Sequence, residues 1–87
     1  INYGTPAQAD RIKMKHKILI IDDEPDIRGL LSMTIDRMGH NTVSVGDTAQ
    51  AKQQLAEHSF DLCLTDLRLP DGSGIDIVKL IQEQYAP

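Results

Sequence analysis

The chain has 87 residues, 9 Lys and Arg against 13 Asp and Glu for a net charge of -4, one cysteine, and Tyr3, Phe60 and Tyr85 as its aromatic residues. That length holds one domain, and a domain this small buries only about 60–65% of the surface its unfolded chain exposes, so its stability margin is thin. Cys63 alone excludes an internal disulfide and suits a reducing compartment. No apolar run reaches the roughly 18–20 residues of a membrane span, and no signal-peptide pattern opens the chain, so a soluble cytoplasmic protein without a membrane partner is expected.

Residues 1–16 (INYGTPAQADRIKMKH) mix Gly4, Pro6 and polar residues without a period, the look of a linker, a tag remnant or an N-terminal extension. Residues 1–17 hold four cations against Asp10, a local +3, which leaves -7 on the rest. An acidic body argues against direct nucleic-acid binding, which needs cations opposite the phosphates. From Lys17 the run KILII is β-branched and apolar on both faces, as in a central parallel strand, and stops at Asp22-Asp23-Glu24. Pro25 suits the first turn of a helix, with Asp23 or Glu24 as its cap. Ile27, Leu30, Leu31, Ile35 and Met38 follow at helical spacing, and Gly39 stands where the helix should end. Residues 42–45 alternate as a second strand. Asp47 with Gln50 resembles a capping box that opens a helix burying Ala51, Leu55 and Ala49, ended by His58 and Ser59. Residues 61–65 (DLCLT) form a third strand ending at Asp66. The loop LRLPDGSG follows, then a helix over residues 75–85 with Ile77, Val78, Ile81 and Tyr85 inward and Leu80 beside them.

The order βαβαβα over residues 17–87 favours an α/β structure with a parallel sheet, and right-handed crossovers give strand order 2-1-3 with helices on both faces. Strands one and three are then neighbours about 4.8 Å apart, which brings Asp22, Asp23 and Asp66 to one rim at the topological switch point. Converging carboxylates repel one another, and a divalent cation is the remedy. Oxygen ligands without His or Cys suit Mg²⁺, and a carboxylate oxygen left free beside it is what an aspartyl nucleophile for phosphoryl transfer requires. An acidic pair before a helix is by itself an ordinary solvated cap. It is the combination after two separate buried strands that points to function. Cys63 reads as core packing, and His16, His40 and His58 as surface residues scattered at element ends without ligand spacing.

ILIIDDEP followed by DLCLTDLRLPDGSG resembles the N-terminal part of a response-regulator receiver domain of two-component signalling, over residues 16–85. The resemblance implies a flavodoxin-like, three-layer parallel sheet cut to strands 2-1-3 with three helices. It implies Asp66 as phosphoacceptor, Asp23 as a direct Mg²⁺ ligand, Asp22 as a ligand largely through water and the backbone carbonyl of Arg68 as a further ligand. Pro70 and Gly74 shape the loop. A sensor histidine kinase is the implied phosphoryl donor, and FDLCLTDLRLPDGSG is most similar to receivers of sigma-54-dependent transcription activators. The implied role is a phosphoacceptor signalling domain rather than an enzyme. Such a receiver has five strands in order 2-1-3-4-5, with a Thr or Ser ending the fourth and a Lys ending the fifth. This chain ends at Pro87 before either, and Lys79 lies mid-helix and cannot substitute, so slow phosphorylation without readout is expected. A competing expectation is a non-catalytic module that forms a homodimer by exchange through the open edge of the third strand. A small Mg²⁺-dependent phosphohydrolase is a third reading, without a candidate general acid.

Overall fold

The computed structural model describes residues 15–85. The expectations for residues 1–14 lie outside that range. Three parallel strands, β1 (Lys17–Ile21), β2 (Asn41–Val45) and β3 (Leu62–Thr65), form one sheet in order β2-β1-β3, as the crossover argument requires. Ile18, Leu19, Ile20 and Ile21 of β1 pair with Thr42, Val43, Ser44 and Val45 on one side and with Leu62, Cys63, Leu64 and Thr65 on the other. All four are buried, because the central strand is covered on both faces.

Successive strand residues alternate between faces, so Leu19, Ile21, Val43, Val45 and Cys63 share one of them. There they pack with Ala51 and Leu55 of α2 (Thr48–Glu57) and Ile77 of α3 (Gly74–Leu80) to form the core. The opposite face carries α1 (Pro25–Arg37), tied to β2 by a 2.6 Å hydrogen bond between the Ser32 and Thr42 hydroxyls. The layers are therefore α1, sheet, and α2 with α3.

The two faces are unequally filled. α1 buries no residue fully. Its half-buried stripe is Arg28, Leu31, Ser32 and Ile35, whereas Ile27, Leu30 and Met38, expected inward, are more than half exposed. The apolar arc of the helix is wider than the surface available to it, and Leu62 and Leu64 of the edge strand stay exposed on the same side of the sheet. In α3, Val78 is exposed, as is Tyr85 in the π-helical turn Ile81–Tyr85 that follows, again against expectation. The stripe Gly74, Ile77 and Ile81 faces the core instead.

The helix ends follow local chemistry. Glu24 caps α1 by accepting from the Asp26 N–H at 3.2 Å, and Gly39 takes a φ of 96° just past its end, where a side chain would be strained. Asp47 accepts from the Gln50 N–H at 2.8 Å. The Gln50 side chain accepts from Gly46 N–H at 3.3 Å, so the return arm of the box lands one residue early. Ala49, expected inward, is exposed, and Thr48 takes the buried place.

Candidate functional site

The site follows from strand register. Ile21 pairs with Thr65, so the residues leaving β1 and β3 emerge side by side, and the Asp66 N–H donates to the Ile21 carbonyl at 2.8 Å. On the other flank the Asp22 N–H donates to the Val45 carbonyl at 3.1 Å. These bonds extend the sheet by one residue on each strand and bring Asp22, Asp23 and Asp66 together. Carboxylate oxygens from the three lie within 4.8 Å of one another, with Asp22 half-buried and Asp23 and Asp66 exposed.

Asp22 is held further by its own side chain, whose Oδ1 accepts from the Glu24 N–H at 2.9 Å. Asp66 is shaped by its neighbours. Its carbonyl accepts from the Thr65 hydroxyl at 2.9 Å, and the backbone of Gly74 passes so close that a Cβ there would overlap the Asp66 carbonyl oxygen. The Gly74 N–H donates to the Leu67 carbonyl at 3.0 Å, closing the loop. Glycine is needed at position 74 for space.

The loop between Asp66 and α3 is more ordered than turn chemistry alone suggests. Arg68 and Leu69 (β4) pair antiparallel with Gly72 and Ser73 (β5), a hairpin turned at Pro70 and Asp71. Arg68, exposed, stands two residues beyond Asp66 at the start of that hairpin. Leu69 reaches back into the core, and Ser73 caps α3 through its side-chain oxygen, which accepts from the Ile75 N–H at 3.1 Å. Lys79 sits in the last turn of α3.

Two contributors escape the sequence reading. Arg28 donates from Nη1 to the Asp22 carbonyl at 2.8 Å, and Asp71 spans from the hairpin to the start of α2. The N–H of Thr48 beside it holds the Asp71 carboxyl below its ordinary range, helped by that of Ala49. Burial pushes the Cys63 thiol up to about 11, in keeping with an inert packing role.

The histidines are less scattered than their spacing suggests. At the opposite rim, where the strands begin, the His16 N–H donates to His40 Nδ1 at 3.1 Å and His16 Nδ1 lies 3.6 Å from Asp61 Oδ2. Both partners of that pair are about half exposed, so the surface reading stands while the isolation does not. No helix among the described residues is long and apolar enough to cross a membrane.

Chemically, the acidic rim offers only hard oxygen donors. Around an octahedral Mg²⁺, with bonds of about 2.0–2.1 Å, opposite oxygens stand about 4.1 Å apart and adjacent ones about 2.9 Å, so this all-oxygen donor set suits such a cation once carboxylates up to 4.8 Å apart draw together.

Comparison with known proteins places this geometry. The family model described as the response regulator receiver domain matches residues 18–87. Response regulator protein PilR of Pseudomonas aeruginosa is 54% identical over 71 residues, 82% of this chain and 16% of that protein. The DNA-binding response regulator MtrA of Mycolicibacterium smegmatis is 35% identical over 69 residues, 79% of this chain and 30% of that protein. The chain thus spans less than a third of the length of these relatives. Among solved structures, a chain in the complex of histidine kinase ThkA with response regulator protein TrrA superposes with a TM-score of 0.75 at 30% identity, covering 82% of this chain and 60% of that one. With its sheet in flavodoxin-like order and three aspartates at the ends of β1 and β3, the chain belongs to the response regulator receiver domain family.

Proposed function

We propose that Asp66 is the phosphoacceptor of a two-component response regulator that controls transcription, with a sensor histidine kinase as donor. The convergence of the Asp22, Asp23 and Asp66 carboxylates within 4.8 Å carries the reading. In the transfer, a carboxylate oxygen of Asp66 attacks phosphorus, the P–N bond to the kinase imidazole breaks, and the imidazole nitrogen keeps the electron pair. Hydrolysis of the acyl phosphate later returns the carboxylate and releases inorganic phosphate. Asp22, Asp23 and Asp66, with the Arg68 carbonyl, would hold Mg²⁺, which supplies positive charge against the phosphoryl oxygens. Within this chain, Asp22 is fixed by its backbone and side-chain bonds, and the Gly74 contact sets the backbone of Asp66. The kinase partner is supported by likeness to the regulator–kinase complex, and transcription control by likeness to a DNA-binding regulator.

Incubation with acetyl phosphate and Mg²⁺, read by intact mass, should add one phosphoryl group to the native chain and none to D66N. Equal labelling of both would overturn the assignment.

A further inference from the structure

Arg28 lies on the half-buried, sheet-facing stripe of α1, six residues beyond Asp22, and its guanidinium turns back toward the acidic rim. Its Nη1 donates to the backbone carbonyl of Asp22 at 2.8 Å, while the Asp22 N–H is taken by Val45 and the Asp22 carboxylate by the Glu24 N–H. Both peptide units flanking Asp22 are therefore held. The unit held by Arg28 is the one that leads directly into Asp23, so the direction in which Asp23 leaves the backbone depends on that bond.

Gly46 supplies the room. A Cβ at position 46 would stand 2.9 Å from Arg28 Nη1 and 4.0 Å from the Asp22 carbonyl oxygen. The guanidinium thus occupies the space that a side chain at the end of β2 would fill. The arrangement joins three elements at one point: the first turns of α1, the end of β1 and the end of β2.

We propose that Arg28 is a positioning residue for the acidic rim, fixing the Asp22–Asp23 peptide so that the carboxylates converge and thereby setting the site's affinity for a divalent cation. This rests on the reading of Asp22, Asp23 and Asp66 as a cation site. The sign of the effect separates positioning from charge. As a nearby cation, Arg28 repels a metal ion, so electrostatics alone makes its removal tighten binding. As a positioning group, its removal weakens binding, as loss of outer partners does at metal sites generally.

The test is Mg²⁺ titration by calorimetry on the native chain, R28M, R28K, G46A and D66N, with amide hydrogen exchange at Glu24, whose N–H donates to Asp22 Oδ1, measured on the metal-free proteins. R28M should bind Mg²⁺ about tenfold more weakly and exchange faster at the Glu24 amide. R28K keeps the charge and a hydrogen-bonding ammonium in place of the guanidinium and should fall between R28M and the native chain. G46A keeps every charge but displaces the guanidinium, so it should follow R28M in both readouts, and circular dichroism checks that each variant is folded. Native or tighter Mg²⁺ binding in R28M and G46A, alongside weakened binding in D66N, overturns the role of Arg28 alone. If D66N binds as the native chain does, the cation site itself is misassigned and the proposal falls with it.

Discussion

Asp71 closes the start of α2 from a loop 23 residues away in sequence, its Oδ1 accepting the Thr48 N–H at 2.8 Å and its Oδ2 the Ala49 N–H at 3.0 Å. Together with Asp47 it places two carboxylates at one helix N-terminus, where unpaired N–H groups and the helix dipole favour negative charge. The bond ties the segment after Asp66 to a helix on the core face. Because folding lowers the Asp71 carboxyl below its ordinary value of 3.8, its stabilising effect is fully present above that value and is lost as pH falls through the folded value. D71A should lower the melting temperature at pH 7 and flatten the acid limb of the stability curve below about pH 4, as followed by thermal melts across pH. Parallel curves for D71A and the native chain would refute the coupling.

Gly74→Ala tests the contact behind Asp66. The added methyl meets the Asp66 carbonyl oxygen and lies 2.7 Å from the Thr65 hydroxyl, and the first of these is backbone that can yield only by moving Asp66 itself. Overpacking of this kind costs about 1–3 kcal/mol. Urea unfolding should show that loss, and phosphorylation by acetyl phosphate should fall by more than stability alone explains, since the carboxylate is carried out of register. Unchanged labelling in the folded variant would mean that the site tolerates the shift.

Much of the molecule is legible in its sequence because the signals are local. KILII reads as a strand covered on both faces, and the two Asp-terminated strands with their crossovers determine which carboxylates meet. What escaped depends on distance. Arg28 and Asp71 bond to backbone atoms, which leave no mark in composition, and His16 and His40 meet only because β1 and β2 start side by side. The β4–β5 hairpin, two residues per strand, is too short to show a period, so LRLPDGSG reads as loop. Helical spacing identified the apolar arc of α1 but not the part of it that the sheet covers. Leu30 and Ile27 belong to the arc and lie outside the covered part.

Cys63 should be chemically quiet in the native state. Its thiol is pushed from 9.0 to about 11 by burial, which lowers the thiolate population at pH 8 about a hundredfold relative to the unfolded chain. Reaction with an aromatic disulfide at pH 8 should therefore be slower in buffer than in denaturant. Equal rates would show that β3 opens readily at its exposed edge.

The unequal filling of the two faces predicts unequal mutational costs. Ile77, fully buried in the core cluster that also holds Leu19, Ile21, Ala51 and Leu55, should cost about 2–5 kcal/mol when cut to alanine, because the cavity lies in the filled face. Leu30, 60% exposed on α1, should cost under about 0.5 kcal/mol, since alanine removes little buried surface and raises helix propensity. In a domain of this size the first loss is a large share of the total, so I77A should melt far below the native chain or fail to unfold cooperatively, while L30A should superpose on it. Similar losses for both would mean that α1 is covered in solution, by another copy or another protein, and the concentration dependence of the L30A and native melting temperatures would separate a second copy from a stable monomer.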